Sequence, residues 1–188
     1  ISTSMNAFAE RLKSARKMKG WSLHELADNI AMTISKQALS KYEQDLMKPT
    51  GEVLIALAKA LDVKPDYFLK ESKIVLAPVE FRKKAKLSAK DEDSIKEKVK
   101  DFLERYLEVE QLLNINTKFS NPIKNITIKE VEEVEAVALK LIKGWNLGFD
   151  PIPNVIEMLE DNSIRVIEID APDEFDGLST RVGEIPVV

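Results

Sequence analysis

The chain contains no cysteine and one histidine in 188 residues. The first absence excludes a disulfide framework, a thiolate nucleophile and any cysteine-held zinc or iron–sulfur centre. The fold must then rest on burial, and a cytoplasmic setting is expected. The second leaves His24 alone, which excludes a two-histidine metal site and disfavours most familiar hydrolytic chemistry. Long hydrophobic runs are missing as well. The most apolar stretch, residues 53–61, is interrupted well short of the ~20 residues that cross a bilayer, and no signal peptide opens the chain. No membrane partner and no cofactor are expected.

What is present is an ordinary globular composition, 44% hydrophobic, enough for one domain or two small ones. The net charge of −4 hides a gradient. Residues 1–70 carry 11 basic and 8 acidic side chains, residues 71–120 carry 11 and 10, and residues 121–188 carry 6 and 14. A basic front attracts phosphate and an acidic tail repels it, so any nucleic acid is expected near the N-terminus.

Apolar periodicity and capping residues place five short helices in the first 70 residues. Phe8, Leu12 and Ala15 recur at helical spacing in residues 6–18, and Gly20 follows as a stop. Ser22 and Glu25 form a capping box for a helix to about Asn29, with Leu23, Leu26 and Ile30 inward. Ser35 caps a third helix, residues 36–44, with Leu39 and Tyr42 inward and Lys36, Gln37, Ser40 and Lys41 outward. Thr50 caps a fourth, apolar over more than half its circumference, and Pro65 opens a short fifth.

Residues 71–87 read as a linker containing Pro78 and the basic run Arg82, Lys83, Lys84 and Lys86. After Ser88, the residues Ile95, Val99, Phe102, Tyr106, Val109 and Leu113 trace an a/d-like seam on a helix of about 25 residues. Such a seam needs a cover, either a second copy of the chain or residues 131–141. Thr127 and Glu130 form another capping box for a helix to Gly144, and Asn154 introduces a short helix to Glu160. Ile164, Val166, Ile167 and Ile169 read as a strand, and Asp176-Gly177 as a turn before residues 178–182 and a last strand, 185–188. An unguarded Pro-Val-Val ending suggests an incomplete sheet and a natural protein that continues.

Two short helices joined by a turn, the second showing small polar donors, form a helix-turn-helix pattern. A major groove about 12 Å wide admits one helix, where Gln pairs with adenine and Lys with guanine. A plain bundle with a solvated face is the alternative. Arg16, Leu26-Ala27, the run from Ile34 to Glu43 and Lys48-Pro49 closely resemble the lambda-repressor/Cro-like (XRE) family over residues 6–70. That resemblance implies an ion pair between Arg16 and Glu43, base reading by Lys36, Gln37 and Lys41, and phosphate or sugar contacts from Ser35, Ser40 and Lys48, with Lys13 and Lys17 as weaker candidates. Three departures are visible. Leu23 stands where the family often has a phosphate-contacting Gln, Asp45 where a left-handed Gly is usual, and the turn is about two residues longer.

Residues 79–188 resemble the front of an ImmA/IrrE-type domain. The matching stretches are Val79 to Arg82, Tyr106 to Glu110, Leu147 to Pro151 and Phe175 to Ser179. That family carries a His-Glu-x-x-His zinc helix, which is not among these residues. His24 is expected on the surface, Trp21 and Trp145 between helices, and Asp170, Asp173, Glu174 and Asp176 in a solvated acidic loop.

The expectation is a mainly α protein, α+β overall. A five-helix lambda-repressor-like domain spans 5–70, a linker 71–87, and long helices with a small incomplete β-sheet 88–188. It is expected to be a cytoplasmic, nucleoid-associated transcriptional regulator, not an enzyme within these residues. Double-stranded DNA is the expected partner and a homodimer the expected state, because one such domain buries only ~600–1,000 Å² on DNA. The rivals are a longer zinc metallopeptidase and an antitoxin-like repressor that holds a protein partner.

Overall fold

A computed structural model describes the backbone of residues 3–84 and 86–188, and the side chains from Ala7 onward apart from residue 85. Four α-helices open the chain: α1 (Thr3–Met18), α2 (Leu23–Asn29), α3 (Lys36–Glu43) and α4 (Gly51–Leu61). The fifth element, Pro65–Leu69, is a 3-10 helix and not an α-helix, so five α-helices are not found here. Three of the starts are set by hydroxyl caps. The side chains of Ser22, Ser35 and Thr50 accept from the backbone N–H of Glu25, Ala38 and Val53, each contact worth about 1 kcal/mol.

The interior of this first unit is Leu12, Ala15, Leu26, Leu39, Leu57, Leu61 and Phe68, with Ile30 and Tyr42 at its edge. Phe8 joins two helices and the 3-10 turn by packing its ring 6.3 Å from Tyr42 and 5.5 Å from Phe68. On α4 the buried face is Leu57, Ala58 and Leu61, while Ile55 points to solvent.

Residues 71–87, expected as a linker, are woven into the second unit. Ile74 is buried there, and β1 (Glu80–Lys83) pairs antiparallel with β2 (Phe175–Val182), which pairs antiparallel with β3 (Ile185–Val187). The basic run is occupied accordingly. Lys83 pairs with Glu92, and Lys84 donates to the Asp173 carbonyl at 2.8 Å. Asp176-Gly177, expected as a turn, lies inside β2, where the register shifts opposite Arg82 and Lys83. The tight turn is Gly183-Glu184, with Gly183 at φ +58, the left-handed first position of a two-residue hairpin. Residues 165–167 run parallel beside β3 through Arg165 N–H to Pro186 and Ile167 N–H to Val188, each 2.9 Å.

Helix α5 (Ala89–Leu112) begins at Ser88, whose hydroxyl oxygen accepts from Asp91 N–H. Its buried row is Ile95, Val99 and Leu103, spaced four and four, whereas Val109 and Leu113 of the expected seam are exposed. The intrachain cover expected from residues 131–141 is not used. One side of α5 packs on α1, and Val99 and Leu103 join Ile74 and Val187 in the second core. The expected Thr127–Glu130 capping box does not form. α6 (Glu133–Gly144) starts later, without a side-chain cap, and Glu133 accepts from Lys129 N–H at 2.8 Å instead. α7 (Val155–Asp161) starts at Asn154 as expected, its amide oxygen taking the N–H groups of Ile156 and Glu157.

Arg11 fixes α1 to α5. Its side chain is 6% exposed and lies 2.6 Å from Glu104, donates to the carbonyls of Lys70 at 2.8 Å and Glu71 at 3.0 Å, and covers the Tyr67 ring at 4.9 Å. Burial alone would lower the Arg11 pKa. Hydrogen bonding and charge from Glu104 outweigh it, and the pKa is raised. Removing one member strands the other charge out of water, which typically costs about 3–5 kcal/mol. We expect Arg11→Ala and Glu104→Ala each to lower unfolding stability by that order in urea titrations, and Arg11→Met with Glu104→Leu to recover most of it. Single variants within about 0.5 kcal/mol of the parent, as for an ordinary surface change, would show that the joint lies elsewhere.

Candidate nucleic-acid interface

The path from α2 to α3 is set by alternation. Ile30, Met32 and Ile34 pack onto the first core while Ala31 and Thr33 are exposed, so the longer, glycine-free turn, bent at residues 30–32, is held by its apolar side chains. Leu39 and Tyr42 then bury one side of α3, and the opposite side is left to solvent. Ser35, Lys36, Gln37 and Lys41 are exposed on it, and Ser40 is half-buried. Lys48 is exposed just beyond, before Pro49.

Arg16 locks this helix. Its guanidinium donates through Nε to Glu43 Oε1 at 2.6 Å and through Nη2 to Glu43 Oε2 at 2.7 Å, while Nη1 reaches the Trp21 carbonyl at 2.6 Å. Both side chains are nearly buried. A two-pronged contact of this kind fixes direction as well as distance, so the C-terminal end of α3 is tied to α1 and to the start of α2 together. The end of α3 is closed by a left-handed Asp45 at φ +57, with Leu46 N–H reaching Lys41 at 2.9 Å and Asp45 N–H reaching Tyr42 at 3.2 Å. This is the helix stop that a glycine normally supplies.

The polar side of α3 presents amide and ammonium donors in one row. Gln44 belongs to it, seven residues after Gln37, and donates to the Ser40 hydroxyl oxygen at 2.9 Å. Sequence reasoning left Gln44 out, although its i+7 spacing from Gln37 was there to be read. His24 is exposed, with Nδ1 3.1 Å from Asp28. Trp21 packs against the first core.

Lys17 is paired with an acid of α5. Its ammonium lies 2.7 Å from Asp93 on α5, and that hydrogen bond is the main cause of a lowered Asp93 pKa. Lys13, exposed one turn earlier, contributes to the same shift through its charge. Lys17 therefore faces α5. Nothing in a one-dimensional reading of α1 pointed to an acid 76 residues away.

Glu25 links the α2 start to α5. Its carboxylate accepts from Ser22 N–H at 2.6 Å and from Lys90 Nζ at 3.1 Å. Backbone and hydroxyl hydrogen bonds from Ser22, then Lys90, hold its pKa down to about 2. An unfolded Glu titrates near 4.3. Because the folded value is the lower one, the stabilisation is whole above that pH and is lost as the pH falls toward about 2. We expect Glu25→Gln to lower the urea midpoint at pH 6 and the gap to the parent to close between about pH 4 and pH 2. A gap that is flat over that range would remove Glu25 from the linkage.

Residues 12–68 match the helix-turn-helix family model. The chain is also similar to the SPbeta prophage-derived uncharacterized HTH-type transcriptional regulator YonR of Bacillus subtilis (strain 168), 38% identical over 63 residues. Those residues are 34% of this chain and 56% of the relative, so the chain spans about half the length of the curated relative it matches. No solved structure matches the chain. No helix among the described residues is long and apolar enough to cross a membrane.

Proposed function

We propose that this chain is a sequence-specific, DNA-binding transcriptional regulator of the lambda-repressor/Cro-like type. The helix-turn-helix domain of residues 12–68 supports the reading, and one observation carries it: a solvent-facing row of amide and ammonium donors on α3, held by the Arg16–Glu43 pair. The helix is short enough and polar enough on that side to lie in a major groove. Lys36, Gln37 and Lys41 read base edges; Ser35, Ser40 and Lys48 touch the sugar-phosphate backbone. Ser35 does so through its O–H, since its oxygen already caps α3. Lys13, exposed, stays a weaker phosphate candidate, and Lys17, held by Asp93, is weaker still.

The DNA-binding domain is residues 5–70. The remainder, 71–188 with β1 included, is a regulatory module that resembles the front of an ImmA/IrrE-type domain, and α5 carries its state to the DNA-binding domain. The chain works as a homodimer in the cytoplasm, on the nucleoid, since one DNA-binding domain offers too little surface for a specific site. It acts by binding DNA and not by an enzymatic step of residues 1–188.

Selection of duplexes from a random pool supplies the preferred site, and variants test the assignment. Lys36→Ala and Gln37→Ala should each weaken that site by ~1–3 kcal/mol and relax base preference at one position. Lys48→Ala should weaken all sequences alike and shallow the salt dependence by about one unit. Equal losses on selected and random duplexes for Lys36→Ala and Gln37→Ala would show that α3 does not read bases, and an empty selection at low salt would sink the function.

A further inference from the structure

Helix α6 shows an apolar stripe that the described residues leave largely exposed. Val134, Ala138 and the half-buried Ile142 follow at spacings of four on a single side of α6, and Val131, in the turn just before the helix, continues the line. Val131 is 82% exposed, Val134 47%, and Leu139 beside them 40%. The flank beyond Val134 is the one that packs. Val137 is the buried residue of α6, and Gly144 meets Pro122 so closely that an added methyl group would collide with the proline ring.

Charge along the same helix selects what can cover the stripe. Glu130, Glu132, Glu133 and Glu135 stand at its start and Lys140 and Lys143 at its end. Glu132 and Lys143 are eleven residues apart, close to three full turns, so they flank the same edge of the stripe. Both are exposed and neither has an ionic partner among the described residues.

We propose that α6 is a self-complementary docking helix that pairs antiparallel with α6 of a second copy of this chain. In an antiparallel pair about a two-fold axis, like edges meet. With the axis between Val137 and Ala138, Glu132 faces the partner's Lys143, and Lys143 faces the partner's Glu132. The apolar stripes close on each other. A parallel pair would instead set four glutamates against four glutamates. The first half of the α5 seam, the other surface with dimer-like spacing, is not free for this task, because Ile95 and Val99 are buried within the chain.

Stable interfaces bury about 1,200–2,000 Å² in total. Two 12-residue helices fall short of that alone, so dissociation is expected in the micromolar range. Phe149, Ile152 and Val155, exposed on the stretch that follows α6, supply further apolar area.

The proposal deepens the regulator reading by naming the surface that joins its two heads, and its test uses no DNA. Sedimentation equilibrium of the full chain at about 1–100 μM should fit a monomer–dimer equilibrium. Val134→Glu and Lys143→Glu should each raise the dissociation constant about tenfold or more, with the far-UV circular dichroism of the parent. The double variant Glu132→Lys, Lys143→Glu should return it to within about threefold of the parent, since both reciprocal pairs are restored with reversed sign. A parent chain that stays monomeric at about 100 μM, single variants that sediment like the parent, or a double variant as dissociated as Lys143→Glu would each overturn the antiparallel pairing. A chain that dimerises as described but selects no duplex would sink the DNA reading alone. One that selects duplexes but never dimerises would sink this inference alone.

Discussion

A guanidinium held out of water at Arg11 is the constraint on which both halves of the molecule depend. The group cannot lose its proton, so its burial has to be matched by acceptors, and four neighbours share the work: the Glu104 carboxylate, the carbonyls of Lys70 and Glu71, and the face of Tyr67. Those partners come from α5, from the chain leaving the 3-10 helix, and from the 3-10 helix itself. One side chain therefore sets where α5 lies against α1 and where the chain turns toward β1. Burial pushes the Tyr67 phenol up to about 12, so it remains neutral beneath the cation.

The same device recurs twice. At the end of α3, Arg16 spends all three of its nitrogens on Glu43 and Trp21, which gives the exposed side of that helix a fixed orientation. In the second unit Arg165, also buried, lies 2.7 Å from Glu110 and 2.8 Å from the Thr117 hydroxyl, with Tyr106 beneath it. In a protein without cysteine, arginine–glutamate pairs spanning 27 to 93 residues of sequence take over the long-range fastening that disulfides give to small secreted domains. They fasten by direction and acceptor count, and each depends on its partner remaining in place.

Along α5 lies a second layer of contacts between the units: Lys17 with Asp93, Lys90 with Glu25, and the Ser94 hydroxyl donating to the Met18 carbonyl at 2.9 Å. Most of these are exposed ion pairs, individually weak and screened by salt. They reach the C-terminal turn of α1 and the first turn of α2, the two elements that carry α3 through Arg16 and Leu26.

The helices of the first unit and the polar face of α3 were legible in the sequence because their causes are local. A hydroxyl three residues before a backbone N–H, an apolar residue every third or fourth position and a residue tolerant of the left-handed region act within one or two turns, wherever the segment sits. What failed to read correctly was set at a distance. Residues 80–83 of the expected linker became β1 because β2, more than ninety residues on, offered an edge; the a/d seam of α5 shifted to three residues at a spacing of four because α1 and the sheet core took its two flanks; Lys17 gained an ionic partner because Asp93 arrived beside it. The sequence by itself determined which segments are helical and which side chains α3 can offer, since short-range hydrogen bonds and periodic burial decide those. Only the tertiary structure decided which charges are spent inside the molecule and which are left to meet another one, since a charge is neutralised by whatever the folded chain brings within a few ångströms, and spacing along the chain does not encode that.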